Sequence, residues 1–157
     1  MARYRPRKQD AQFARMYRLL QEKRVLALVK DNQMNRHVIL TAPYDYQDAT
    51  KNWSLKDLVT FAQIAVENSC DDLVLGAGEQ VEECPPHVHL LSTRRDARSL
   101  QRMWQAAGLG IVKITHADDR PKDFARIVGY VQAKWTYDRG EAWNMIVSGH
   151  PDTSRVA

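Results

Sequence analysis

The stretch 86–91, Pro-His-Val-His-Leu-Leu, constrains the fold more than any other part of this chain. It reads as a short buried strand with two histidines around a valine. Successive strand side chains alternate between faces, so His87 and His89 point one way while Val88 and Leu90 point the other. A sheet containing this strand therefore carries two imidazoles side by side on one face. Two neutral imidazoles so placed can hold one divalent cation.

The length of 157 residues fits one compact domain and leaves little for a second. No apolar run approaches the length of a membrane helix, and the first residues are basic, so neither a membrane span nor a signal peptide is expected. Cys70 and Cys84 do not make a disulfide framework, and a reducing cytoplasm is the expected compartment. The net charge of +4 is a mild bias toward an anionic partner, and its distribution says more. Arg3, Arg5, Arg7 and Lys8 crowd the start around Tyr4, and Arg94, Arg95, Arg98 and Arg102 follow the histidine pair. A nucleic-acid surface has this form; a basic tail and a solvated helix face are the plainer alternative.

Residues 1–9 read as a basic arm, 10–140 as a single domain and 141–157 as a C-terminal extension or tail. Asp10 can cap a first helix with Phe13, Met16, Tyr17 and Leu20 on its apolar stripe. Residues 25–29 form an apolar run of strand type, and 37–41 the next strand, ended by Pro43. Ser54 and Asp57 form a capping box for a helix whose buried face is Leu55, Leu58, Phe61, Ala62 and Ala65. Residues 72–77 and 86–91 read as antiparallel neighbours. Ser92 or Thr93 then starts a helix with Leu100, Met103, Trp104 and Ala107 at helical spacing, stopped by Gly108 and Gly110. A strand follows over 111–114. Pro121 stands near the start of the last clear helix, and after Gly140 the pattern fades. Strand runs with helices packed on a face imply an α+β fold around a central antiparallel sheet.

A cation needs an oxygen ligand beside the two imidazoles. The turn before them offers Glu79, Gln80, Glu82 and Glu83. A hairpin returning from Glu79 to His87 favours Glu79, while Glu82 and Glu83 are closer in sequence but fall on the turn. Two nitrogens and one oxygen suit Mg²⁺ or Mn²⁺ during phosphate chemistry. Two polar side chains on a wet face are the plainer reading, and zinc held by Cys84 with His87 or His89, with or without Cys70, is another, although the spacing is wrong for a zinc finger.

On a helix over 123–135, Phe124, Ile127, Val128, Val131 and Trp135 form the packing stripe. Arg126, Tyr130 and Lys134 form a second stripe, each one turn after the last. A phenol is almost wholly protonated at neutral pH, and a neighbouring ammonium favours the phenolate. Tyr130 with Lys134 thus suits a nucleophile; a half-buried tyrosine beside a solvent-facing lysine is the alternative. Tyr137 is a rival nucleophile, and Tyr44 and Tyr46 are weaker candidates in the loop after a strand.

Taken together, these segments resemble the HUH endonucleases, and among them the rolling-circle replication initiators. The stretch 37–41 (His-Val-Ile-Leu-Thr) looks like their first motif, 86–91 like the His-hydrophobic-His motif, and 127–134 (Ile-Val-Gly-Tyr-Val-Gln-Ala-Lys) like the helix carrying the nucleophile. The resemblance spans roughly 38–134 and rests on the order and spacing of short motifs. Many initiators have the lysine three residues after the tyrosine, whereas here it is four.

The resemblance implies an antiparallel sheet bearing the histidine pair, with helices on its faces. It also implies a metal-dependent nuclease that attacks single-stranded DNA with tyrosine, stays joined to the 5′ phosphate and releases a 3′ hydroxyl. Carried over, Tyr130 is the nucleophile, His87 and His89 are metal ligands, and Lys134 assists with charge or proton movement. The implied partners are single-stranded DNA at a replication origin, including a hairpin, and a separate helicase and polymerase. Arg3, Arg5, Arg7, Lys8, Arg94, Arg95, Arg98 and Arg126 are the candidate nucleic-acid contacts. A single-tyrosine transposase, which typically has glutamine where Lys134 stands, and a DNA-binding protein that keeps the fold without cutting are the competing readings.

Overall fold

The central sheet runs β4-β1-β3-β2-β5, with every neighbouring pair antiparallel. Its strands are β1 (Arg36–Thr41), β2 (Val74–Glu79), β3 (His87–Ser92), β4 (Val112–His116) and β5 (Met145–Ser148). Among the described residues four α-helices accompany it: α1 (Val25–Asp31), α2 (Leu55–Ser69), α3 (Arg94–Ala106) and α4 (Pro121–Tyr137). The fold is α+β, as the sequence implies. This computed structural model describes Ala14 and residues 24–82, 84–137 and 143–148. The expected arm over 1–9 and the stripe Phe13, Met16, Tyr17 and Leu20 lie outside the described residues. No helix among the described residues is long and apolar enough to cross a membrane.

The sheet has a core on each face. Odd-numbered strand residues, Leu75, Ala77, Leu91, Met145 and Val147, meet Ile127, Val128 and Val131 of α4 and Val25, Leu28 and Val29 of α1. Even-numbered residues, Val38, Leu40, Val74, Val88, Leu90 and Ile146, meet Leu58, Ala62 and Val66 of α2 and Ala97, Leu100 and Trp104 of α3. His87 and His89 are odd-numbered, so they lie on the α1/α4 face. This is the period-two consequence of strand geometry.

Several helix ends follow the expected chemistry. The Ser54 hydroxyl accepts from the Asp57 amide at 3.1 Å and starts α2. The Thr93 hydroxyl accepts from the Asp96 amide at 3.3 Å and starts α3. Gly108, at φ +69°, stands where α3 ends, in the left-handed region that favours glycine.

Four expectations are corrected. Residues 25–29 belong to a helix, because Val25, Leu28 and Val29 at three- and four-residue spacing bury one stripe against α4. A short apolar run does not separate strand from helix by periodicity alone. Phe61 is 48% exposed and leaves the buried face of α2, its ring meeting that of Trp53 at 4.6 Å. The strand expected over 72–77 starts and ends two residues later, which brings Glu79 into the ladder. Finally, the region after residue 140 contributes β5, an edge strand paired to β2. The sheet therefore extends past the expected domain end.

Candidate metal centre and tyrosine

The register of β2 against β3 sets Glu79 directly opposite His87 and Ala77 opposite His89. Directly opposed side chains on one face have Cβ atoms about 4.5–5.5 Å apart. The Glu79 carboxylate therefore reaches both rings. Its Oε1 lies 3.2 Å from His87 Nε2 and 3.4 Å from His89 Nε2. The small side chain of Ala77 leaves the space before His89 open to it. Ligand atoms of Glu79, His87 and His89 all lie within 4.8 Å of one another, a group that could hold a metal ion. Of the acids weighed from sequence, Glu79 joins the histidines; Glu82 is exposed on the turn, and Glu83 lies outside the described residues. Cys84 is exposed and Cys70 packs by α2 and α3, so neither thiol belongs to this group. The zinc alternative therefore loses its sulfur ligands.

Electrostatics favour this set as ligands. Partial burial works against ionisation of Glu79, but the hydrogen bond and charge of His89, with those of His87, hold its carboxyl below the usual range. Burial and then the charge of His87 hold His89 below its ordinary value, against the pull of Glu79. A carboxylate and a neutral imidazole are the forms that bind a cation.

Behind His89 stands His37, which sequence reasoning placed on a strand without assigning it a role. His37 Nε2 lies 2.8 Å from His89 Nδ1, and the rings stack at 5.1 Å. Burial, then the charges of His89, Arg126 and Lys113, push its pKa down to about 4. It therefore remains neutral and fixes which nitrogen of His89 faces Glu79. Such a partner orients a ligating imidazole and sets its tautomer. The available signal was parity: His37 and His89 are both odd-numbered, and the β1–β3 register makes them diagonal neighbours.

Tyr130 comes to the same place from α4. Its ring centroid lies 5.9 Å from that of His89, and its hydroxyl donates to the Gly78 carbonyl at 2.9 Å. Lys134 Nζ lies 5.7 Å from the Tyr130 ring centroid, within range of a cation–π contact. Asn144, just before β5, accepts from the Gly78 amide at 3.0 Å and donates to its carbonyl at 2.9 Å. It thereby holds the backbone on which Tyr130 rests and from which Glu79 projects. No sequence pattern marked Asn144. The side chain of the rival Tyr137 lies outside the described part of the structure.

Beside His37 on the same sheet face is a recess of about 130 Å³. Lys113, Thr115, Arg120, Asp123, Phe124 and Arg126 contribute to its walls. Arg126, one turn before Tyr130 on α4, lines this recess. Asp123 and Arg120 engage each other at 3.7 Å, which leaves Lys113 and Arg126 as the charges of the remaining lining. Arg94, Arg95 and Arg98 are elsewhere, on α3 at the other face of the sheet. Arg3, Arg5, Arg7 and Lys8 lie outside the described residues.

No protein-family model, curated protein or solved structure matches this chain.

Proposed function

We propose that this protein is a metal-dependent endonuclease of the HUH type that nicks and rejoins single-stranded DNA, with Tyr130 as nucleophile, and that it initiates rolling-circle replication of a plasmid or virus. One observation carries the reading: a single carboxylate converges on both imidazoles of the His-Val-His strand, and a tyrosine on α4 stands against the inner imidazole.

Glu79, His87 and His89 would hold Mg²⁺ or Mn²⁺, which when bound supplies Lewis-acid polarisation of the scissile phosphate. His37 keeps His89 oriented for this. Tyr130 leaves the Gly78 carbonyl and turns toward the phosphorus. Its oxygen forms the new bond to phosphorus as the bond to the 3′ oxygen breaks. The phenolic proton is lost and a proton is gained by the departing 3′ oxygen, so the exchange needs no oxidant, reductant or further co-reactant. Lys134 favours the phenolate by charge. The same steps in reverse rejoin the ends. Lys113 and Arg126 in the recess suit the phosphate of a nucleotide next to the reacting one, with Phe124 offering an apolar wall.

The test is incubation with pools of labelled single-stranded DNA and Mn²⁺, analysed under denaturing conditions. A DNA–protein adduct is expected, lost with EDTA and lost in Tyr130→Phe. An adduct that survives Tyr130→Phe moves the nucleophile to another tyrosine, Tyr137 first. DNA binding without an adduct across pools and metals favours a non-cutting protein on the same fold.

A further inference from the structure

The sequence of α3, RRDARSLQRMWQA, holds four arginines and one acid. That acid, Asp96, is buried, and its carboxylate accepts from the amides of Asp71 and Asp72 at 3.1 and 3.0 Å. It is therefore committed inward and neutralises nothing on the outer face of the helix. Arg95 is committed as well, to Asp72 at 3.2 Å and Asp71 at 3.7 Å. The remaining three, Arg94, Arg98 and Arg102, stand four residues apart on one exposed stripe, opposite the buried Ala97, Leu100 and Trp104. Among the described residues none of the three makes an ion pair or a side-chain hydrogen bond. Like charges at this spacing destabilise a helix by about 0.2–0.5 kcal/mol per pair, so folding alone gives no reason for the stripe.

Arg36 extends it. This residue starts β1 with even parity, so it belongs to the α2/α3 face, and its guanidinium is held by Asn35 Oδ1 at 2.9 Å. Partial burial and the nearby charges of Arg94 and Arg98 lower its pKa, against the pull of Asp119 and Asp118. Arg36 is thus gathered with Arg94 and Arg98 at one end of the stripe, which Arg102 continues along α3.

That region is separated from the metal centre by the sheet, since it lies on the opposite face. Arg36 and Arg94 also stand at the opposite end of the strands, because Glu79 and His87 pair at one end and Arg36 and Ser92 at the other, roughly 17 Å apart at about 3.3 Å per residue. From there α3 runs back along the sheet to Trp104, which donates to the Thr41 carbonyl at 2.8 Å, so the stripe spans the far face from one end of the strands toward the other.

We propose that Arg94, Arg98 and Arg102, with Arg36, form a second nucleic-acid site that grips the phosphate backbone of double-stranded DNA, apart from the single strand at the metal centre. Three considerations select a duplex. The helix backbone spaces the three arginines about 6 Å apart in one row. The exposed positions of α3 carry no aromatic side chain, so unpaired bases find nothing to stack on. A duplex also presents twice the charge per length of one strand, about one charge per 1.7 Å of axis. Contacts to phosphates alone position the DNA without reading its sequence. The assignment builds on the proposed nuclease, for which the grip would hold the duplex flanking an exposed strand.

The experiment is fluorescence anisotropy of the full chain with a labelled mixed-sequence duplex and, separately, a labelled single strand. Both are titrated in EDTA over 50–200 mM salt, so cleavage plays no part. The variant Arg94→Gln/Arg98→Gln/Arg102→Gln should lose about three units of the duplex salt slope and at least about tenfold in duplex affinity near 100 mM salt. Its single-strand affinity should change less than about threefold. Far-ultraviolet circular dichroism and a melting temperature no lower than that of the wild type establish that it is folded. Arg94→Lys/Arg98→Lys/Arg102→Lys should keep most duplex binding, since a point charge suffices for a phosphate. Unchanged duplex affinity and slope in the folded glutamine variant overturn the inference, as does an equal loss for the single strand. If Tyr130 forms no adduct while the duplex loss is found, the nuclease reading falls and this site stands.

Discussion

His37 Nε2 sits 2.8 Å from His89 Nδ1, on the side of that ring away from Glu79. One nitrogen of His89 is thereby tied to the protein interior, and the other is aimed at the candidate cation position. Outer partners of this kind typically contribute 10–100-fold to metal affinity. His37→Phe, which keeps a ring but no nitrogen, should weaken Mn²⁺ binding by about that factor. Glu79→Gln and His87→Ala, which remove direct ligands, should weaken it more. Titration of free Mn²⁺ by electron paramagnetic resonance checks all three. Equal Mn²⁺ affinity in wild type and His37→Phe would remove His37 from the centre.

The same pair makes the metal-free protein sensitive to acid. Folded His37 takes up its proton near pH 4, whereas an ordinary histidine does so near 6.5. Between those values the unfolded chain binds more protons than the folded one, so stability falls as pH falls. The contribution is complete above about pH 6.5 and gone by about pH 4, and His89 is shifted in the same direction. The loss should be on the order of 3 kcal/mol for His37. Urea unfolding in EDTA at intervals from pH 7 to pH 4 measures it. His37→Gln, which cannot titrate, should have a visibly shallower slope, and an identical slope would exclude His37 as the cause.

How far this architecture was legible depends on whether a feature was local. The face shared by His87 and His89 follows from period two and needs no partner strand. Glu79 followed from the length of a hairpin, even though its strand was placed two residues early. Tyr130 and Lys134 came from helical spacing. What was missed required knowledge of pairing. Residues 25–29 carry apolar side chains that fit either period, and only packing against α4 selects the helix. His37 joins the centre through the β1–β3 register. Asn144 matters because β5 pairs with β2, and a four-residue edge strand gives almost no pattern to read. The arginines of α3 were seen as one basic cluster. Separating Arg95 from the rest required seeing Asp71 and Asp72 beside it.

Gly78 should tolerate no side chain. A Cβ built there would stand 2.5 Å from Asn144 Oδ1, 2.6 Å from Val59 Cγ2 and 2.8 Å from Leu55 Cδ1. Gly78→Ala should destabilise by about 1–3 kcal/mol through overpacking. Asn144→Ala should have a similar effect for another reason, since it leaves the buried amide of Gly78 without its acceptor at a cost of about 1–3 kcal/mol. Denaturant melts measure both. Because the two changes disturb one contact, the double variant should be less destabilised than the sum of the singles. Strict additivity would mean that Asn144 and Gly78 act separately.

The loop after β1 leaves the sheet at the end where Thr41 pairs with His87. It is internally braced: Asn52 Oδ1 accepts from the Asp45 amide at 2.6 Å, and Asn52 Nδ2 donates to the Asp45 carbonyl at 2.9 Å. Asp45 Oδ1 accepts in turn from the amides of Gln47 and Asp48. On this frame Tyr46 is 82% exposed, and its ring meets that of Tyr44 edge-on at 4.8 Å. An aromatic ring presented to solvent from a braced loop, with Lys51 beside it, is suited to stack on an unpaired base of a strand engaged at the metal centre. Stacking of this kind contributes about 1–3 kcal/mol per base. Tyr46→Ala should therefore weaken single-strand binding by roughly 5–150-fold, and Tyr46→Trp should retain it. Duplex affinity, assigned to the arginines on the far face, should hold in both variants. Anisotropy with short oligonucleotides in EDTA reads all of these, and single-strand affinity unchanged in Tyr46→Ala would take the strand off this loop.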